Sequence, residues 1–264
     1  MSKMPHIQLD ETINTTAAIL PGDPARVKAI AAYLSDVKEE AFNREYKSIT
    51  GTYKGKRILA ISTGMGGPST AICVEELADL GVTDMIRIGS CGALQSHLSL
   101  GQLLLCDRAV CDDGTSQIYL DTFRYAAPEL DAWNAQIEGD KSEITYACAD
   151  EALLKACREA AEREDFSYDI GSTRSHDGLY LKRKPELDEF YSGKGVFGSD
   201  METAALFAAA GVRGIRAASI LNVVVEWKKD LKEGISSYKD GAAAAAQGEK
   251  NEILTALEAL ASVK

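Results

Sequence analysis

The sequence is poor in histidine and in positive charge, and it has no long apolar run. It contains 3 histidines, and its 29 lysines and arginines stand against 40 aspartates and glutamates, giving a formal net charge of -11 at pH 7. Nucleic acids and anionic membranes attract basic faces, so we expect neither as a partner. No stretch is long enough to span a bilayer, and the N-terminal segment lacks the apolar core of a signal peptide. We therefore expect a cytoplasmic protein.

The cysteines lack the spacing of a metal site. None of the six forms a C-x-x-C pair or has histidines nearby, which argues against zinc and favours free thiols in a reducing compartment. Hydrophobic residues make up 45% of the chain and charged residues 26%, as in ordinary globular proteins. A chain of 264 residues can bury one sizeable core, so we predict a single domain over residues 1–264.

Apolar strands alternate with helical segments along the chain. This pattern predicts a three-layer α/β/α sandwich with a central mixed, largely parallel sheet, whose ligands gather at the carboxyl ends of the strands. The predicted strands cover residues 17–20, 57–62, 85–88 and 215–225. Helices are predicted from Pro24, around Val74 to Ala78, over 150–164 and 200–210, and in the alanine-rich stretch after Gly241.

Three loops that follow predicted strands combine glycines with a nearby arginine or hydroxyl, a combination that can bind phosphate through backbone amides and a fixed cation. The first, residues 21–26, contains Gly22 and places Arg26 at a helix start, although Pro-Gly-Asp turns are common and such arginines are usually solvated. The second, residues 62–69, superficially resembles a dinucleotide fingerprint. Ser69 stands where that fingerprint needs its third glycine, so we expect no dinucleotide cofactor.

Arg87 and Glu202 are the charged residues whose positions are most informative. Arg87 interrupts the apolar strand before the third loop, where its charge requires either an ion pair or a polar cavity, and Ser90 follows close by. Glu202 lies at the start of an alanine-rich helix, where acids usually complement the helix dipole. A carboxylate there can also hold two vicinal sugar hydroxyls, with Met201 supplying an apolar wall.

Six motifs occur in a fixed order: PGDPxR, NRE, STGMGGPS, RIGSCGA, SHDGLY and DMETA. On these residues the chain resembles the hexameric nucleoside phosphorylases, and most closely their bacterial uridine phosphorylase branch, from His6 to about Val225. The resemblance implies a pentosyltransferase that splits a nucleoside with phosphate into free base and ribose 1-phosphate. Phosphate is then a co-substrate, and no cofactor is required.

The resemblance also assigns roles to individual residues. It implies a phosphate site made of Gly22, Arg26, Arg87 and Ser90, completed by Arg44 from a neighbouring subunit. It implies a ribose site made of Glu202 and Met201, with the neighbour's His6 near the 5′-hydroxyl. A structural K+ at Glu45 and Ser69 is implied more weakly. Shared sites of this kind imply at least a dimer, and we expect a hexamer built as a trimer of dimers.

The base pocket departs from the uridine pattern. The Gln and Arg that read uracil are absent from residues 178–185, which leaves Tyr180 and Arg183 as the candidates there. Cys91 and Gly92 match the purine branch instead. Asn222 falls near the acid of the bacterial purine enzymes, and it can either contact a base or serve as a hydrogen-bonded strand residue.

Four activities therefore stay open. Uridine phosphorolysis is the leading prediction, and purine nucleoside phosphorolysis is the second. A nucleosidase of the same fold uses water and lacks the phosphate arginines, so Arg26, Arg44 and Arg87 argue against it. A non-catalytic nucleoside-binding protein is the remaining alternative, because the usual base readers are missing.

Overall fold

The computed structural model describes residues 3–126, 144–239 and 243–263. The strands are β1 Ala17–Pro21, β2 Ser35–Asn43, β3 Tyr46–Tyr53, β4 Lys56–Ile61, β5 Asp84–Ala93, β6 Leu103–Asp112, β7 Tyr146–Cys148, β8 Tyr168–His176, β9 Gly198–Asp200 and β10 Arg216–Val225. The α-helices are α1 Pro24–Ala31, α2 Gly67–Asp79, α3 Gly114–Ala126, α4 Glu151–Arg163, α5 Lys184–Gly193, α6 Thr203–Arg213, α7 Leu231–Lys239 and α8 Ala243–Ser262. Gly241, after which we predict the closing helix, lies outside the described residues.

The strands form one mixed sheet with helices on both faces, as the sequence predicts. Alternate residues of β1 point to opposite faces: Ala18 and Leu20 join one apolar core, and Ala17 and Ile19 join the other. The first core packs against α2, α3 and α6, whereas the second packs against α1, α4 and α8. The predicted α/β sandwich is therefore confirmed. None of the described helices is long and apolar enough to cross a bilayer.

Part of the sheet closes on itself, which the sequence does not predict. Strand β5 pairs in parallel with both β1 and β10, and β10, β6, β8 and β9 continue the pairing until β9 returns to β5. Five of the strand pairings in the described residues are parallel and five are antiparallel, so the sheet is mixed, as predicted. The closure brings β9 and the start of α6 beside the carboxyl end of β5.

Local signals in the sequence position the loops that carry the site. Asp23 caps α1 by accepting a 2.7 Å hydrogen bond from the amide of Ala25, and Pro24 occupies the first turn. The helix that we predict from Asp200 starts three residues later, at Thr203, because residues 198–200 pair as β9 with β5 and β8. Met201 and Glu202 therefore lie in the short turn between β9 and α6.

Candidate active site

Two of the predicted phosphate residues lie together: Gly22 in the turn after β1, and Arg87 in β5. The two strands are parallel neighbours, with Pro21 opposite Ile88, so Gly22 and Arg87 come to the same edge of the sheet. A Cβ on Gly22 would lie 4.0 Å from Nη1 of Arg87 and 3.2 Å from the carbonyl oxygen of Gly64. The lack of a side chain at Gly22 thus keeps space open in front of the arginine.

Arg87 is buried and bridges two acids. Its Nη2 donates to Oε2 of Glu202 at 2.6 Å, and its Nε donates to Oδ2 of Asp200 at 3.2 Å. Burial alone would lower the pKa of Arg87, but the two carboxylates raise it above its usual value. The third nitrogen, Nη1, is buried without a hydrogen-bond partner among the described residues. An orphaned guanidinium nitrogen of this kind indicates a site for an anion.

Glu202 is fixed by contacts on both of its oxygens. Oε1 accepts a 2.7 Å hydrogen bond from the amide of Gly66, and Oε2 accepts the bond from Arg87. Burial raises the pKa of this carboxyl, whereas the neighbouring Arg87 opposes that rise. The loop of residues 62–69 therefore serves to place Glu202, because its Gly66 amide holds the carboxylate.

Asp200 is a structural hub. Its Oδ2 accepts hydrogen bonds from the amide and the hydroxyl of Thr203 at 3.0 and 2.6 Å, in addition to the bond from Arg87. Its Oδ1 accepts a 2.6 Å bond from the hydroxyl of Ser175. The Asp200 carboxylate caps the first turn of α6 and orients Arg87. Its role is therefore to position other residues of the site.

The structure encloses Arg26 within the C-terminal helices. Its Nη2 donates to the hydroxyl of Tyr238 at 2.5 Å, and it forms ion pairs with Glu249 at 3.3 Å and Glu252 at 3.2 Å. Burial would lower the pKa of Arg26, but these acidic groups raise it well above its ordinary value. The sequence did not identify either acid, although one signal exists: Glu252 lies on the buried stripe of α8 beside Ile253, whereas Glu249 is partly exposed.

A second group of predicted residues gathers at the β2–β3 hairpin. Arg44 occupies the exposed tip with a φ of 54°. The carbonyl oxygen of His6 accepts a 2.7 Å bond from Nδ2 of Asn43, and Nδ1 of His6 lies 2.6 Å from Oε1 of Glu76. His6 and Arg44 thus share one region of the surface, which is the arrangement needed if both are to reach the same neighbouring subunit.

The predicted cation ligands touch each other. The Ser69 hydroxyl donates to Oε1 of Glu45 at 2.6 Å, which lowers the pKa of Glu45, and it also contacts the carbonyl oxygen of Thr63. These are hard oxygen donors of the type that alkali cations accept. Among the described residues, no three His, Cys, Asp or Glu side chains form a metal-binding group.

A cavity of about 1030 Å³ lies at the carboxyl end of β5, between β5, α5 and the segment before α7. Gly92 and Tyr180, two of the predicted base-pocket residues, line it. Cys91 is buried beside it, with its sulfur 3.5 Å from the Cβ position of Gly198. Side chains that the sequence did not single out also line the cavity, among them Lys184, Asp188, Ser199, Trp227 and Leu231.

Two base-pocket candidates lie elsewhere. The guanidinium of Arg183 is exposed and pairs with Glu186 at 3.0 Å, at the start of α5. Asn222 is buried against α8: its Nδ2 donates to the carbonyl oxygen of Ala245 at 2.8 Å, and a Cβ added at Gly248 would collide with its Oδ1. The structure therefore gives Asn222 the role of a hydrogen-bonded strand residue, the alternative that its sequence position left open.

His176 is a buried residue beside the cavity that the sequence analysis did not select. Its Nε2 lies 3.0 Å from the hydroxyl of Ser199, and Nδ1 has no hydrogen-bond partner among the described residues. Burial, together with the positive charges of Arg174 and Lys184, lowers its pKa to about 4. The imidazole is therefore neutral at physiological pH, and it can accept or donate a hydrogen bond without carrying charge.

We predict that His176 makes the protein less stable as the pH falls. The unfolded chain binds this proton below about pH 6.5 and the folded chain only near pH 4, so the free energy of unfolding declines by up to about 1.4 kcal/mol per pH unit in between. Denaturant unfolding of the wild type and of His176→Asn at pH 7, 6 and 5 measures the difference. Equal slopes in the two proteins would contradict the prediction.

The chain is similar to known proteins over most of its length. The profile of the Phosphorylase superfamily matches residues 16–257. A guanosine phosphorylase of Halorubrum lacusprofundi is 34% identical over 223 residues, covering 84% of this chain and 83% of that protein. A uridine phosphorylase of Thermococcus kodakarensis is 36% identical over 217 residues, covering 78% and 71%. The crystal structure of uridine phosphorylase from Vibrio fischeri superimposes with a TM-score of 0.84 at 37% identity, covering 100% of this chain and 99% of that one. The chain belongs to the phosphorylase superfamily.

Proposed function

We propose that this protein cleaves the N-glycosidic bond of a nucleoside with inorganic phosphate, giving free base and ribose 1-phosphate. The observation that carries the proposal is the position of Arg87. One of its nitrogens holds Glu202, the predicted ribose ligand, while another lies unpartnered about 4 Å from the Cβ position of Gly22, where phosphate is predicted to bind. A single side chain thus links the two binding sites that the reaction must bring together.

The chemistry follows from this geometry. Breaking the bond between C1′ and the base nitrogen builds positive charge on the ribose ring, and the base leaves with the electron pair and takes up a proton from solvent to become the free base. Phosphate held by Arg87, Arg26 and Ser90 stabilises that positive charge and forms the new bond to C1′. Glu202 anchors the ribose hydroxyls while C1′ moves toward phosphate. No side chain has to act as the nucleophile.

Uridine is the proposed substrate, since uridine phosphorylases recur among the relatives. Purine nucleosides are the second candidate, and two observations favour them. The cavity of about 1030 Å³ has room for a bicyclic base, and one relative is a guanosine phosphorylase. In either case Trp227 and Tyr180 offer aromatic surface for the base.

We add proposals about subunit assembly, a bound cation and the location of the enzyme in the cell. Arg44 and His6 lie together on the exposed hairpin side, so we propose that they complete a neighbour's site in a hexamer of three dimers. A K+ held by Glu45 and Ser69 would lie beside the same hairpin. We further propose that the enzyme acts in the cytoplasm, in nucleoside catabolism and nucleotide salvage.

The direct test is an assay with uridine, thymidine, inosine and guanosine, each with and without phosphate, that measures release of free base. We expect release only when phosphate is present, with uridine the fastest substrate. Release that does not depend on phosphate would identify a nucleosidase instead. No release from any substrate, with nucleoside still bound in equilibrium dialysis, would identify a binding protein.

A further inference from the structure

The environment of the phosphate arginines is unusually acidic for an anion site. Arg26 faces Glu249 and Glu252, and Arg87 faces Asp200 and Glu202, so two guanidinium groups meet four carboxyl groups. If all four are ionised, a phosphate dianion enters a site that is already negative. The attraction that the arginines provide is then largely cancelled.

Glu252 differs from the other three acids in being both fully buried and poorly bonded. Its side chain has no exposed surface, and neither carboxyl oxygen receives a hydrogen bond of good geometry from the described residues. Nη1 of Arg26 is 3.2 Å from Oε1, and the amide of Gly89, next to Ser90, lies near the carboxyl group. The carboxyl of Glu252 therefore lies against the loop that is predicted to bind phosphate.

The charged and titratable groups around Glu252 come from four elements. They are Arg26 of α1, Arg87 and Cys91 of β5, Tyr238 of α7 and Glu249 of α8. Burial raises the pKa of Glu252 to about 8, with Glu249 adding to the rise and the two arginines opposing it. Burial also raises the pKa values of Tyr238 and Cys91, so these two groups stay protonated near neutral pH.

We propose that Glu252 is a phosphate-site residue that accepts the co-substrate only in its neutral form, so that above neutral pH phosphate binds together with one proton from solvent. The neutral carboxyl keeps its place beside Arg26 and leaves the arginine's charge to the phosphate. It also supplies an O–H donor, whereas an ionised carboxylate would repel the dianion. This inference rests on the proposed function, because it takes the anion to be the phosphate co-substrate.

The test compares the KM for phosphate in the wild type and in Glu252→Gln between pH 6 and pH 9.5, at saturating nucleoside. Glutamine has nearly the same size as glutamate and stays neutral at every pH. The ionisation of phosphate affects both proteins equally, so it cancels when their KM values are divided. We expect the KM of the wild type divided by the KM of Glu252→Gln to be constant below pH 7. Above pH 8 this ratio should rise about tenfold per pH unit, because only the wild type must take up a proton. A ratio that does not change with pH would overturn the proposal.

Glu258→Gln is the matched control. Glu258 lies on the same helix, but it pairs with Lys54 and Tyr53 at 2.5 Å each, away from the phosphate arginines. Its KM ratio to the wild type should not vary with pH. A rise like that of Glu252→Gln would assign the effect to the helix as a whole and overturn the role of Glu252.

Calorimetric titration of the wild type with inorganic phosphate supplies a measurement that needs neither turnover nor a variant. At pH 9, where free phosphate is already a dianion, we expect uptake of about one proton per phosphate, read from the heats in two buffers of different ionisation enthalpy. Binding without proton uptake would overturn the proposal. Proton-linked binding in a protein without turnover would uphold Glu252 while rejecting the proposed reaction.

Discussion

Replacing Glu202 by alanine is expected to lower turnover by a factor on the order of a hundred or more, the size of effect that follows the loss of a transition-state contact. The carboxylate is held by the Gly66 amide at 2.7 Å and by Arg87 at 2.6 Å, so it is fixed in place before any ribose binds. In the proposed mechanism it anchors the ribose hydroxyls while C1′ moves toward phosphate. The loss should therefore fall on kcat more than on the KM for phosphate.

Steady-state kinetics of Glu202→Ala and Glu202→Gln, with circular dichroism to check the fold, measures this effect. Glutamine still offers an oxygen to the Gly66 amide but removes the charge, so it should fold at least as well as alanine and remain strongly impaired. Glu186→Ala is the control, because Glu186 is exposed on α5 and pairs with the exposed Arg183. Turnover close to wild type in Glu202→Ala would remove Glu202 from the mechanism.

The sequence predicts those parts of the site that depend on neighbouring strands. Gly22 and Arg87 follow from two parallel strands whose carboxyl ends share an edge, and a buried arginine in an apolar strand demands acidic partners. That one of those partners is Glu202 depends on the closure of β9 onto β5. Strand β9 has only three residues, too few to show a periodic pattern, so the sequence did not predict the contact between Arg87 and Glu202.

The parts that the sequence did not predict involve contacts across long stretches of chain. The cage around Arg26 brings together α1 and two helices more than 200 residues later. The signal for it was one acid, Glu252, on the buried stripe of α8, which marks an unusual position but does not identify its partner. Asn222 is a similar case: its strand position was identified correctly, but whether it faces a base or α8 depends on how closely Gly248 lets the helix approach.

Removing Arg87 should have the largest effect of any single substitution in the site. Arg87→Ala removes a predicted phosphate contact and one of the two bonds that hold Glu202, so we expect kcat/KM to fall by a factor on the order of a thousand. Arg87→Lys should recover little of this loss. A single ammonium group cannot reach Asp200, Glu202 and the phosphate in the way that a planar guanidinium does. Activity in Arg87→Lys near that of the wild type would show that the bridge between the two acids is dispensable.

The same substitution should destabilise the fold in a way that depends on pH. Without Arg87, Asp200 and Glu202 are left buried with uncompensated charge, which costs about 3–5 kcal/mol. Burial already raises the pKa of Glu202, and without the opposing charge of Arg87 it should rise further above its value in the unfolded chain, so the penalty is greatest at neutral pH and shrinks as the pH falls toward 5. The measurement is the difference in melting temperature between the wild type and Arg87→Ala, taken at pH 7 and at pH 5. A difference that is as large at pH 5 as at pH 7 would mean that lost packing, and not the two unpaired carboxylates, limits the stability of the variant.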